Sequence, residues 1–324
     1  MNPNVNVFEG SQIDLEEYCE LQRASFGKLL QESGVSEDYL TPKYFRWKYS
    51  PPAAPARIAV VTIDRKSVAC NAMFPVLMRS QRGDFIGWQS CDTATNPVHR
   101  GKGYFRLCYE ALWGSLNADG FIFGFPNKDS RRGFEKFGWK ELQVVNTFVS
   151  PFSFSFTKDQ VRTMPIGQAN WDELDAGQVI PRKFTHVVRS RDYLKWRYQD
   201  HPIHQYQLFV SLHSADQHGF AIARTANVKG MRVVMIMELI AASSKTRHSL
   251  IRAIKSWART QKVSVLMLMD TTIKSFEALR FGFCRIPHAF MPKLQVVMGA
   301  PKKPSLMSQI NCPWFVQLGD WDSF

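Results

Sequence analysis

The residues whose types and spacing could do chemistry begin with Thr95-Asn96-Pro97-Val98-His99-Arg100-Gly101-Lys102-Gly103, which joins a strand-like segment to a helix-like one. A glycine-rich turn at a helix N-terminus offers free backbone N–H groups and the positive end of the helix dipole, a seat for a pyrophosphate. Gly101 and Gly103 permit positive φ and close approach, and Arg100 and Lys102 add positive charge. The same pattern also describes an ordinary strand-to-helix connection. Two carboxylates stand on strand-like segments: Asp92 after Cys91, and Glu238 within the apolar run Met235-Ile236-Met237-Glu238-Leu239. A carboxylate in so apolar a run is paired, edge-facing or directed into a cleft. Asp92 reads equally as a proton acceptor and as a strand-end residue bonded to backbone. Cys91 reads as a buried thiol, since a nucleophile would need a base beside it. The tail adds carboxylates at Asp320, Asp322 and the C-terminal Phe324. His201 and His204 fall in a proline-containing loop and read as surface residues; no cysteine or histidine spacing indicates a metal site.

The elements that position these groups follow from periodicity. Segment 85–95 reads as a strand, 103–117 as a helix with apolar residues at helical spacing, 121–125 as a short buried strand, and 130–137 as a helix stopped by Gly138. The pattern returns at 231–241, 245–261, 264–269 and 272–281. The block Tyr44-Phe45-Arg46-Trp47-Lys48-Tyr49 resembles Tyr193-Leu194-Lys195-Trp196-Arg197-Tyr198, and 130–139 resembles 275–283. Markers in the same order at similar separations indicate two copies of one domain. The expected division is 1–150, a linker at 151–182 where prolines punctuate a less periodic stretch, a second copy at 183–300, and a tail at 301–324. Trp47 and Trp196, with Tyr49 and Tyr198, are equivalent in the two copies and read as core packing residues.

A chain of 324 residues, 45% hydrophobic and 21% charged, supplies two ordinary cores. Its six scattered cysteines, with no C-x-x-C pair and no signal-like N-terminal pattern, read as reduced thiols in a cytoplasmic protein without a membrane span. The formal charge of +13 is spread along the chain. It fits a field that attracts anionic small molecules, or plain solubility, and no nucleic-acid-binding pattern accompanies it.

Arg100-Gly101-Lys102-Gly103-Tyr104-Phe105 resembles the CoA signature of the GNAT superfamily, R-x-x-G-x-G/A, with Phe105 at the last position. The stretch from Gly124 to Trp139 resembles one branch of that superfamily, and the tail WFVQLGDWD is similar to tails of GNAT proteins found near bacterial polysaccharide-synthesis functions. The resemblance implies an α/β (α+β) chain of two tandem GNAT-like domains, each a mixed twisted sheet flanked by helices. It implies acetyl-CoA as co-substrate, with pantetheine along Thr93, Ala94 and Thr95, pyrophosphate on Arg100, Gly101, Lys102, Gly103, Tyr104 and Phe105, and Asn127 bonding the pantetheine arm. The implied reaction is direct N-acetylation of a small amine, of anionic or sugar type on the charge argument. Asp92, Glu238 and Tyr104 are the catalytic candidates, because Phe134 stands where the family often has its acidic Tyr. A non-catalytic CoA-binding module is the alternative. The second copy's equivalent turn, 241–245, lacks glycine, so one CoA per chain is expected, with monomer and homodimer both open.

Overall fold

The computed structural model describes residues 3–32, 36–151, 161–174, 179–212, 218–228, 230–287 and 296–321. In chain order the first part comprises β1 (Asn4–Glu9), α1 (Leu15–Glu32), α2 (Pro42–Lys48), β2 (Arg57–Ile63), β3 (Lys66–Ser80), β4 (Gly83–Thr95), α3 (Tyr104–Ser115), β5 (Phe121–Gly124), α4 (Lys128–Lys136), β6 (Lys140–Val144) and β7 (Asn146–Ser150). There follow β8 (Arg162–Pro165), β9 (His186–Val187), α5 (Arg191–Leu194) running into a wide π turn, β10 (Gln207–Leu212), β11 (His218–Val228), β12 (Met231–Ala241), α6 (Ser244–Thr260), β13 (Val265–Asp270), α7 (Ser275–Arg280), β14 (Cys284–Arg285) and β15 (Val296–Pro301). Local chemistry sets several helix starts. Thr41 and Ser243 accept the backbone N–H groups of Tyr44 and Thr246, and Pro42 occupies the first turn of α2.

The two copies expected from the repeat are present as two mixed sheets. The first is ordered β1-β2-β3-β4-β5-β15-β6 and the second β14-β7-β13-β12-β11-β10-β8. The expected spans 1–150 and 183–300 do not coincide with these sheets. The end of the first span, β7, lies in the second sheet between β13 and β14. The end of the second span, β15, lies in the first sheet between β5 and β6. Each copy therefore lends its last strand to the other, at the same place in the strand order. A strand inserted between two others satisfies both its edges with backbone hydrogen bonds, so neither sheet is complete without the other half.

A pseudo-twofold relation runs through the paired tryptophans. Trp47 and Trp196 stack at 5.3 Å, Trp47 Nε1 donates to the Trp196 carbonyl at 2.7 Å, and Trp196 Nε1 donates to the Trp47 carbonyl at 2.9 Å. The packing role expected of this pair is joined by a reciprocal hydrogen-bonded seam. A large core cluster, with Phe45, Phe123, Tyr198, Phe220 and Trp314 among its members, draws on both sheets. Separate clusters lie under α3 and α4 on the first sheet and under α6 and α7 on the second. Cys19, Cys70, Cys91 and Cys108 are buried free thiols, whereas Cys284 is exposed. No helix among the described residues is long and apolar enough to cross a membrane.

Candidate functional site

β4 and β5 pair in parallel only from Gly87 to Gln89 and from Phe121 to Phe123. Beyond Gln89 the strands part. A bulge on β4 sharpens the divergence: Ala72 pairs with Cys91 but Cys70 with Ala94, and Asp92 takes φ of 46°. The parted strands open a cleft of about 480 Å³, with Ser90, Cys91, Asp92 and Thr93 on one side and residues 124–127 on the other. Helices α1 and α2 and the short turn between them form its far wall, and Trp321 of the tail also lines it.

Asp92 is the centre of a polar cluster on this wall. Lys48 Nζ donates to its Oδ1 at 2.8 Å and the Tyr49 hydroxyl to its Oδ2 at 2.9 Å. The Tyr18 and Tyr49 hydroxyls lie 2.6 Å apart, and Gln22 Nε2 donates to the Tyr18 hydroxyl at 2.9 Å. Burial, with Asp92 alongside, holds the Tyr49 phenol well above its ordinary pKa, so it remains a donor. Of the two readings of Asp92, the structure gives it side-chain partners and a place in the cleft. Lys48 has no role in the sequence reading, and Tyr49, read there as a packing residue, is also a hydrogen-bond donor to Asp92. Their signal was the repeat itself, since Tyr198, the equivalent of Tyr49, likewise donates to a carboxylate, Glu238 Oε1, at 2.7 Å.

The expected cofactor-binding residues divide between two neighbouring places. Thr93 lines the cleft and accepts from Asn71 Nδ2; Asn127 lines it opposite and accepts the Ser130 N–H at 2.9 Å. Ala94 is buried in the β3–β4 pairing, and the Thr95 carbonyl accepts Arg100 Nε at 3.3 Å. Arg100, Gly101, Lys102 and Gly103 form an exposed turn at the start of α3, with φ of 78° at Gly101 and 81° at Gly103. Gly103 caps α3 with no side-chain hydrogen bond, which leaves the first-turn N–H groups without a side-chain acceptor. Tyr104 is part-buried behind this turn, its ring 6.4 Å from that of His99, and is not among the residues lining the cleft.

Phe105 departs from the resemblance, and the structure gives the reason. Its ring packs edge-on against Phe134 and Phe137 at 5.3 and 5.2 Å. A Cβ on Gly133 would lie 2.8 Å from that ring. Phe105 is thus turned into the cluster under α3 and α4, and Gly133 makes room for it. Phe134 lines the cleft, packed on Trp139 with ring centroids 4.3 Å apart.

Glu238 is placed elsewhere. Its side chain is fully buried, paired with Arg189 at 3.3 Å, and is not among the cleft-lining residues. Burial pushes its carboxyl above the usual range while Arg189 opposes that shift. The reason is the tail. In the second copy β12 and β13 also pair only partway, from Val233–Ile236 against Val265–Leu268. The gap beyond is filled by residues 316–320. Gln317 Oε1 accepts the Leu239 N–H at 2.8 Å, and its Nε2 donates to the Leu239 carbonyl at 3.1 Å and to Asp270. Thr271 N–H donates to the Val316 carbonyl at 3.2 Å. Asp320 pairs with Arg189 at 2.7 Å, and its carbonyl accepts Gln89 Nε2 where β4 and β5 part. The tail therefore occupies in the second sheet the place that is open in the first, then delivers Trp321 to the open cleft, stacked on Phe125 at 4.1 Å. The Trp321 indole N–H is buried with no acceptor among the described residues. Asp322 and Phe324 lie outside the described residues.

His201 and His204 are drawn inward, contrary to the surface expectation. His201 stacks on His204 and packs on Trp47, and His204 Nε2 is bonded to the hydroxyl of Tyr39, which lines the cleft. Burial, with Arg197 and Arg224 nearby, lowers the two imidazoles to about 2 and about 3 respectively, so both are neutral. Among the described residues no group of three or more His, Cys, Asp or Glu side chains is placed to hold a metal ion.

No family model matches this chain, and no curated protein matches it. Solved structures share its fold. A GCN5-related N-acetyltransferase from Anabaena variabilis superposes with a TM-score of 0.66 at 10% identity, covering 93% of this chain and 73% of that one. A GCN5-related N-acetyltransferase from Kribbella flavida gives 0.61 at 11% identity, over 95% and 74%. A candidate acetyltransferase from Pyrococcus horikoshii gives 0.60 at 10% identity, over 98% and 94%. The chain has the tandem GNAT fold.

Proposed function

We propose that the chain is an acetyl-CoA-dependent N-acyltransferase with one cofactor site, in the first copy. The observation that carries this reading is the parting of β4 and β5 beside an uncapped glycine turn, with the equivalent gap of the second copy closed by the tail. Pantetheine would lie along Thr93 with Asn127 across from it, and the pyrophosphate on the N–H groups of residues 101–105, with Arg100 and Lys102 offsetting its charge. Backbone N–H groups of β4 beyond Gln89, released from pairing with β5, can polarise the thioester carbonyl.

In the transfer, the amine nitrogen forms a bond to the acyl carbon, the C–S bond breaks, and the amine proton must be removed. Asp92 is the carboxylate placed to receive it, directly or through water; Lys48 and Tyr49 each occupy one lone pair of a group with about four acceptor directions. Phe134 cannot protonate the leaving thiolate. Ser130, four residues earlier on the same helix face, also lines the cleft but gives its hydroxyl to Asn127, so the thiolate would take its proton from water. The expectation of an anionic or sugar-type acceptor rested on the overall charge. Among the described residues the basic and acidic side chains that line the cleft are Lys48 and Asp92, and these form an ion pair.

Phe134 also supports a second reading, a CoA-binding module without turnover. Thiol release from acetyl-CoA across a panel of amines separates the two, with Arg100→Glu as control. Turnover with one CoA bound per chain, and affinity at least tenfold lower in Arg100→Glu, is the expected result. Binding without turnover on any amine would favour the module, and two equivalent CoA sites would refute the single-site reading.

A further inference from the structure

We infer that the acceptor side of the cleft takes a primary amine carried on an apolar body, an aryl or alkyl group; this inference rests on the acyl-transfer reading above and names its substrate class. The wall facing the parted strands carries Phe26, Leu29 and Leu30 of α1 and Tyr39 of the following turn beside the polar Gln22, Tyr44 and Lys48, and Phe125 and Trp321 add aromatic surface to the cleft. Leu29 is 54% exposed, on the helix that lines the cleft, and so offers apolar surface that a ligand would take out of water. Two of the polar groups there are already engaged, and the Trp321 indole N–H is buried. The Tyr39 hydroxyl is bonded to His204, and Gln22, 2% exposed, bonds Tyr18, Cys70 and the Asp92 carbonyl.

An amino sugar would bury several hydroxyls against this wall with few partners, and each unpaired one opposes binding. A phosphorylated amine would bring negative charge to a cation, Lys48, whose Nζ lies 2.8 Å from the Asp92 carboxylate. An amine on an apolar body, bound uncharged, meets neither obstacle. Its nitrogen lies against the acceptor directions of Asp92 that Lys48 and Tyr49 leave open, and its ring or chain lies against the leucines and aromatic faces. One ammonium proton passes to water before binding, Asp92 takes the second as the C–N bond forms, and the leaving thiolate takes a proton from water, so the step written above balances.

The test is equilibrium binding of four probes to the full chain saturated with CoA: 2-phenylethylamine, hexylamine, glucosamine and glucosamine 6-phosphate. The expected result is that 2-phenylethylamine and hexylamine bind at least tenfold more tightly than either sugar. Leu29→Ser, at an exposed position, is expected to weaken 2-phenylethylamine threefold or more while the CoA Kd and the melting temperature stay unchanged. Sugars binding as tightly as the apolar amines, an unchanged 2-phenylethylamine Kd in Leu29→Ser, or no amine binding beside bound CoA would each overturn the inference. Tight apolar-amine binding with no thiol release from acetyl-CoA would instead overturn acyl transfer and leave the amine site standing.

Discussion

Replacing Gln317 by Ala tests whether the tail is what closes the second sheet's gap. The side chain is 0% exposed and bonds both backbone groups of Leu239 and one oxygen of Asp270. Leu239 lies past the end of the β12–β13 pairing, so no neighbouring strand takes over its N–H and carbonyl. Asp270 keeps the Thr272 and Ile273 N–H bonds on its other oxygen but loses its amide partner. A buried polar group left without a partner costs roughly 1–3 kcal/mol. Two backbone groups and a partly relieved carboxylate come to about 4 kcal/mol, a large share of the roughly 5–15 kcal/mol that stabilises a typical domain. Urea unfolding at neutral pH measures the difference. Gln317→Glu should be worse than Ala, because a carboxylate would then face the Leu239 carbonyl and Asp270. CoA stoichiometry, measured by calorimetry below the unfolding transition, should remain one per chain in both variants. A loss under about 1 kcal/mol in Gln317→Ala would show that the tail merely rests on the gap, and the explanation for a single cofactor site would fail with it.

Two further outcomes follow from the packing around the cleft. Gly133→Ala places a methyl 2.8 Å from the Phe105 ring, and overpacking of this kind costs roughly 1–3 kcal/mol; Phe105→Leu in the same chain should restore part of the loss, as a thermal-melt double-mutant cycle would reveal. His201 and His204 have folded-state pKa values lowered to about 2 and about 3, against about 6.5 unfolded, so the unfolded chain binds protons first as pH falls. Their contribution to stability is present above pH 6.5 and is lost on acidification at about 1.4 kcal/mol per group per pH unit, near 4 kcal/mol for the pair between pH 6.5 and 5. Urea midpoints at pH 7 and 5 check this, and His204→Gln, which keeps an acceptor for Tyr39, should halve the dependence.

Much of the local structure was legible in the sequence because neighbouring residues decide it. Helical spacing of apolar residues placed α3 and α6, Gly101 and Gly103 marked the turn that takes positive φ, and the doubled Tyr-x-x-Trp block announced two copies. Asp92, Thr93 and Asn127 were placed near the cleft for the same reason: each belongs to a strand or strand end whose position in the repeat is set by sequence order. What the tertiary structure decided are contacts between segments far apart in the chain. Strand pairing has no sequence-local signal for its partner, so the exchange of β7 and β15 could not be read from either strand. Nor could the filling of the second gap by Gln317, 78 residues from Leu239, which leaves Glu238 buried away from the cleft. His201 and His204 looked like loop residues until Tyr39 and Trp47 closed over them. The turn at Gly101 and Gly103 belonged to the sequence, because a backbone conformation is chosen by its own residues; the choice of which copy stays open belonged to the fold, because a gap is closed only by whatever distant segment can satisfy its hydrogen bonds.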